Sequence, residues 1–414
     1  MTVEGHKRAH RFGAMRAPAR RRLLAVTTVS AAAAVICTAP AAALPRIPSL
    51  PMASEYTVKV SLPGGPDGSV FYTSGANVAV PLPIPGRGQG GGDGLVIADK
   101  SGHIRWHHTP PSNSGVANFR VQTYQGQKVL TWWEGTGIDG HGSGTDFIAD
   151  RNYHVIKTIT AGDGLQSDAH EFRLTADGRA LITAYRQVPA DLTSVGGPKN
   201  GTMMDSIASV VDVATGRVLT QWSAKDHVPV SDSSMRPNPL SQLGGVTTYD
   251  PFHMNSISLD PGGDLLISMR NTNTVYDVDI HTGAVKWRLG GKHSTLAIGA
   301  GADIFGQHDA EFADDSTVRV FDNNVDGSIQ RGASAIKWIR VDPIRHRATL
   351  VWAQLHPDDL ATFATGNAQG LGDGYTFGSW GTAGHISEFA PNGQLIYDAV
   401  VPKGTYRAYL QDWP

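Results

Sequence analysis

With 414 residues the chain is long enough for one large core or two modest domains. Charged residues make up only 17%, against 48 glycines and 24 prolines. Beyond the N-terminal stretch no run keeps the i, i+3, i+4 apolar pattern, which excludes a helical bundle. The formal charge is −2 with no basic run outside the leader, so nucleic acid is excluded as a partner.

The first 43 residues read as an export signal. Lys7, Arg8, Arg11, Arg16, Arg20, Arg21 and Arg22 face a single acid, Glu4, and Leu23 to Leu44 carries no charge. A basic region, an apolar region and the small-residue site Ala41-Ala42-Ala43 follow in the order of a cleavable leader. Arg20-Arg21-Arg22-Leu23-Leu24 resembles the twin-arginine version. The alternative is an uncleaved anchor, since about 22 residues at 1.5 Å each reach across a bilayer. The expected location is secreted or extracytoplasmic, with membrane contact only through this segment. Cleavage would leave a formal charge of about −8, because the leader carries seven of the basic residues and one acid. Cys37 is the only cysteine and lies in the leader, so the mature chain has no disulfide and no cysteine metal site.

Residues 44–94 form a Pro/Gly-rich segment ahead of the main fold: an opening strand or two, then a flexible loop through Gly86-Arg87-Gly88-Gln89-Gly90-Gly91-Gly92. From residue 95 to 414 a unit repeats, made of an apolar strand, Asp, a turn with Gly, and a strand that often carries Trp. Its six copies are Ile97 to Trp106, Phe147 to Ile156, Val211 to Val218, Val278 to Trp287, Val341 to Trp352 and Phe389 to Leu395. A second kind of hairpin precedes several of them, as in His170 to Ile182 and Asn255 to Ile267. Two hairpins per unit make a four-stranded sheet, and a spacing of about 45 to 65 residues is the size of a propeller blade. The expected fold is an all-β, six-bladed β-propeller.

In a propeller the innermost strand of each blade lines the axis, and three such strands open with histidine: Asp168-Ala169-His170-Glu171-Phe172, Phe252-His253-Met254-Asn255-Ser256-Ile257 and Gln307-His308-Asp309-Ala310-Glu311-Phe312. Aligned on the following apolar residue, His253 matches His308, and Asn255 matches His170. A strand period of two sets all four on one face. The turn at Pro261-Gly262 pairs residues whose numbers sum to about 523, so Arg270 is expected across from His253. Three imidazoles could hold zinc, but a guanidinium beside them disfavours a dication and suits a tetrahedral anion, so the expected site has no metal. Asp168 or Asp309 could weaken that objection.

These motifs resemble the arylsulfotransferase family in its actinobacterial and fungal branch. The resemblance rests on Phe119-Arg120-Val121-Gln122-Thr123-Tyr124 to Trp132-Trp133-Glu134-Gly135, the three histidine motifs, Trp287-Arg288-Leu289-Gly290-Gly291 and Phe305-Gly306-Gln307-His308. It implies a sulfotransferase that needs no nucleotide donor or other cofactor. A sulfuryl group would move from an aryl sulfate ester to a phenolic acceptor through a sulfated histidine. By motif the nucleophile is His308, and the sulfuryl-binding group is His170, His253, Asn255 and Arg270. Thr382 in Gly378-Ser379-Trp380-Gly381-Thr382 is a candidate for a later threonine of the family. The well-known periplasmic members carry a disulfide near the site and an N-terminal β-sandwich, and neither fits this chain. Two other classes remain open, a secreted binding propeller without turnover and a different, metal-dependent enzyme on this scaffold. Trp132, Trp133 and Trp380 are read as blade packing before aryl contact.

Overall fold

The computed structural model describes residues 56–75, 94–111, 114–138, 140–238, 242–243 and 246–413. The leader, and the glycine run before residue 94, lie outside the described residues. Among those described, the only helices are single 3-10 turns, and none is long and apolar enough to cross a membrane.

The repeated unit is the outer hairpin of every blade, and a side chain explains its period. In five blades the Asp that closes the third strand accepts backbone N–H bonds from the turn it starts. Ser101 and His103 donate to Asp99, Asn152 and His154 to Asp150, Thr215 to Asp212, His281 and Thr282 to Asp279, and Arg345 to Asp342. This is the Asx-turn, which satisfies turn donors locally. A left-handed residue finishes it, as at Gly102 (φ 96°) and Gly216 (φ 73°); Tyr153 (φ 64°) and His346 (φ 51°) take that conformation where glycine is missing.

Six antiparallel sheets result, each a blade. Blade 2 is Gly115–Tyr124, Gln127–Ile138, His141–Ala149 and Val155–Ile159; blade 3 is Phe172–Leu174, Arg179–Ala190, Gly201–Asp212 and Val218–Ser223. Blade 4 is Met254–Leu259, Leu265–Met269, Thr274–Val278 and Val285–Gly290. Blade 5 is His308–Phe312, Thr317–Asp322, Ala335–Asp342 and Arg347–Leu355, with Ala297–Ile298 added in parallel at its rim. Blades 1 and 6 close the ring twice. The C-terminal strand Ala408–Gln411 is the inner strand of blade 1, on Ser69–Ser74, Gly94–Asp99 and Ile104–His108. The early strand Thr57–Ser61 is the outer edge of blade 6, beyond Asn367–Gly370, Thr376–Ser379, His385–Phe389 and Leu395–Val400. The segment ahead of residue 95 therefore supplies two propeller strands.

The cores lie between neighbouring blades, where the two sheet faces interdigitate. Blades 3 and 4, for example, bury Leu181, Trp222, Phe252, Ile257, Ile267 and Tyr276 together. The rim tryptophans Trp106, Trp222 and Trp287 are buried, and the Trp222 indole donates to the Gly283 carbonyl in the turn of the next blade. Trp352, in the degenerate copy, is 49% exposed.

Near the axis, side-chain amides stitch four of the inner strands to the next. Asn118 donates to the Ala169 carbonyl, Asn255 to Gln307 and Asn367 to Ala408, at 2.7–2.9 Å. Gln122, Gln369 and Gln411 do the same further along the axis. Between these belts the channel is filled by charge. Arg120 (2.6 Å) and Arg407 (3.0 Å) meet Glu171, and Arg173 and Arg319 meet Glu311. Such pairs add little net stability, yet deleting one member strands a buried charge at a cost of about 3–5 kcal/mol.

Candidate active site

A cavity opens at the Asn end of the axis. Its walls are Trp133, Gly137, Gly140, His141, Gly142, Ala169, His170, His253, His308, Ala364, Thr365 and Tyr406. Three histidines picked from the sequence are thus brought together, and a fourth, His141, joins them.

His308 opens the inner strand of blade 5 and is 2% exposed. Its Nδ1 lies 2.7 Å from the Asn323 Oδ1. The Asn323 amide nitrogen donates to the carbonyls of Thr362 (3.1 Å) and Thr365 (2.9 Å), so its oxygen must face His308. An acceptor there puts the ring hydrogen on Nδ1, and the Gly306 carbonyl at 3.1 Å agrees. Nε2 is left with its lone pair, which meets only the Thr365 N–H at 3.3 Å. Burial, together with the Arg270 charge, holds the His308 proton affinity well below the ordinary histidine range, so the ring is neutral at pH 7.

His253 stands just ahead of its strand in a left-handed conformation (φ 56°), and its Nδ1 lies 2.5 Å from the Asp250 carboxylate. Burial outweighs that carboxylate and pulls its pKa down to about 4. His141 comes from the tip of the long blade 2 hairpin and approaches the same Asp250 oxygen at 3.2 Å. His170 is held through Nδ1 by Asp168, which also accepts the His170 and Gly142 backbone N–H groups. Burial raises the Asp168 carboxyl, but His170 and these donors bring it below the usual range. The rings of His170 and His253 meet edge to face with centroids 4.9 Å apart.

Arg270 lies where the register argument put it: its N–H bonds the His253 carbonyl at 2.9 Å, and Met254 pairs with Met269. The guanidinium is 8% exposed. It donates to the Asn271 Oδ1 (2.9 Å) and the Phe363 carbonyl (3.3 Å) and sits over the Phe363 ring. No carboxylate lies within ion-pair distance of it among the described residues. Burial lowers its proton affinity, and Asp250 offsets this in part. Arg270 stands behind the wall formed by His253, His308 and the 363–365 loop rather than lining the cavity.

Asn255 and Thr382 are placed elsewhere. Asn255 is fully buried with its amide committed to the Gln307 carbonyl, as in the belt of Asn118 and Asn367. A bulge between Met254 and Ser256, with the left-handed His253, breaks the two-residue alternation that put it on the histidine face. Thr382 is exposed and pairs with the Thr362 hydroxyl at 2.8 Å, while Thr365 is the threonine at the cavity. Of the tryptophans only Trp133 reaches the cavity; Trp132 stacks on Phe147 and Trp380 packs on Phe321.

Among the described residues two groups could offer three metal ligands, His141–Asp250–His253 and His356–His385–Asp398. In the second, the His356 Nδ1 accepts the Asp358 N–H at 3.1 Å, so its Nε2 carries the hydrogen, faces Asp398, and has no lone pair to give. In the first, the Arg270 charge, with no carboxylate within ion-pair distance among the described residues, acts on the same Asp250 and disfavours a dication.

Asp146 lies fully buried close to this site. Burial, with Asp168 and Glu171 nearby, pushes its carboxyl well above the usual range, against a smaller opposing effect of the Ser167 hydroxyl. A raised folded-state value means that the folded chain holds the proton more tightly, so this residue lowers stability as pH rises above about 4. Asp146→Asn is expected to match the native protein near pH 4 and to gain on it steadily toward pH 8. Urea midpoints across that range check this, and parallel curves would contradict it.

Comparison with known proteins agrees with the motifs. A model of the arylsulfotransferase (ASST) family matches residues 120–401, well over half of the chain. The chain belongs to the arylsulfotransferase family. That membership supports aryl sulfotransferase activity in general, with small-molecule aryl substrates. No curated protein matches the sequence. Among solved structures it is similar to a protein of unknown function from Bacteroides caccae (12% identity, covering 80% of this chain and 93% of that one, TM-score 0.46). It is also similar to a catalytically inactive virginiamycin B lyase from Staphylococcus aureus with quinupristin (9% identity, covering 86% and 100%, TM-score 0.41).

Proposed function

We propose that this arylsulfotransferase carries a sulfuryl group from an aryl sulfate to a phenol through a covalent intermediate on His308. One observation carries the reading. A buried, neutral imidazole offers the lone pair of Nε2 at a cavity wall backed by a guanidinium that no carboxylate neutralises.

In the first half-reaction Nε2 attacks sulfur in line, the bond from sulfur to the aryl oxygen breaks, and its electron pair leaves with the phenolate. Charge grows on the leaving oxygen in a loose transition state, as in phosphoryl transfer. The imidazolium form of His170, whose Nδ1–H donates to Asp168, gives its Nε2 proton to the phenolate and is left neutral. His253, with a pKa near 4, is the poorer donor at neutral pH. The Thr365 N–H at the cavity serves a sulfuryl oxygen, and Arg270 supplies its positive charge from behind the wall. Because Nδ1 of His308 faces an amide rather than a carboxylate, the sulfated ring keeps its Nδ1 hydrogen and its positive charge, which makes it a good leaving group. In the second half-reaction the acceptor phenol returns its proton to His170, its oxygen attacks sulfur, and the bond to Nε2 breaks. The flat walls of Trp133 and Tyr406 and the small residues Gly137, Gly140, Gly142, Ala169 and Ala364 suit a planar ring. The leader supports the same chemistry taking place outside the cytoplasm.

The test is direct. Pure protein with 4-nitrophenyl sulfate and added phenol is expected to release 4-nitrophenol at a rate that depends on the acceptor, without any nucleotide. Absence of release across acceptors would favour a binding propeller without turnover.

A further inference from the structure

We propose that Asn271 is a positioning residue that keeps the Arg270 charge available to an anionic substrate by meeting the guanidinium with a neutral amide. The inference rests on the transferase reading of this site.

The contrast lies within the protein. Four arginines are buried among the described residues. Arg120 and Arg407 pair with Glu171, and Arg319 pairs with Glu311. Arg270 alone is met by neutral groups: the Asn271 Oδ1, the Phe363 carbonyl and the face of the Phe363 ring. A buried cation without a counter-charge is unfavourable unless something brings one. A sulfate monoester does so.

Asn271 is built in so that only its oxygen can face the arginine. Its Nδ2 donates to the Asp250 carbonyl at 2.9 Å, which orients the amide. Its backbone N–H donates to the Phe252 carbonyl at 2.9 Å, and its own carbonyl accepts from Ser234 at 2.7 Å. The side chain is 4% exposed and ties Arg270 to the loop that carries Asp250 and His253. A carboxylate of the same shape would lie against Arg270 as a permanent counter-ion. It would take the place of the substrate's charge, which is why an amide is required here.

Two substitutions separate charge from shape. Asn271→Asp keeps the volume and the acceptor, loses the Nδ2 donor to the Asp250 carbonyl, and supplies the counter-charge. Asn271→Ala removes the contact but leaves Arg270 uncompensated. If the amide keeps the charge free, Asn271→Asp should weaken anion binding about 100-fold, the scale of losing one preorganised oxyanion donor. Asn271→Ala should stay within about tenfold of the native protein. A merely structural role predicts comparable losses in the two variants, since both lose the bond to the Asp250 carbonyl.

The experiment is calorimetric titration of the full chain and both variants with inorganic sulfate, and with phenol as an uncharged control, alongside kcat/KM for 4-nitrophenyl sulfate. Loss of sulfate binding and of kcat/KM confined to Asn271→Asp, with phenol binding unchanged, supports the proposal. Equal sulfate affinity in Asn271→Asp and native protein, or a loss in Asn271→Ala as large as that in Asn271→Asp or larger, overturns it. If Asn271→Asp does not fold, Asn271→Ala decides, and a 100-fold loss there overturns it. Failure of the native protein to bind sulfate at all overturns the transferase reading of the site and this inference with it.

Discussion

His308→Asn is expected to abolish sulfuryl transfer while leaving a folded protein that still binds an aryl sulfate. The asparagine side chain can reach toward Asn323, so the buried polar network keeps a partner, and Arg270 with its neutral cradle is untouched. What disappears is the lone pair that attacks sulfur. Native protein mixed with donor and no acceptor should gain one sulfuryl group, acid-labile and read by intact mass, and the variant should gain none. Donor and acceptor should show ping-pong kinetics, because a covalent intermediate divides the reaction in two. A ternary-complex pattern together with the absence of an adduct would remove His308 as nucleophile.

Arg270→Lys is expected to fold normally and to lose about 100-fold or more in kcat/KM. The ammonium conserves charge but cannot keep the bond to Asn271, the bond to the Phe363 carbonyl and the stack on the Phe363 ring at once. One preorganised donor at a developing anion is worth about 2.7–4 kcal/mol. The Lys variant should therefore lose rate more than the melting temperature suggests. Native turnover in a well-folded variant would take Arg270 out of the reaction.

Much of this architecture is written in local chemistry. Asp99, Asp150, Asp212, Asp279 and Asp342 recur because each satisfies its own turn, and with Asn392 in the turn of the sixth copy they made the repeat and the number of blades readable without coordinates. Arg270 opposite His253 was legible for the same reason, since a tight turn sets the register of the strands beside it. Alternation then failed at Asn255, where a bulge and a left-handed residue shift the phase, and neither leaves a period in the sequence. The contacts that tune the site were decided only by the closed ring. His141 and Asp250, from blade 2 and from the loop before blade 4, meet across the axis, and the ring tautomer of His308 depends on Asn323 and two carbonyls of the 362–365 loop. A histidine among the glycines of 140–144 and an Asp three residues before His253 were the available hints. Turn chemistry acts over a few residues and repeats, whereas these contacts join residues 15 to 109 apart and occur once, so only packing selects them.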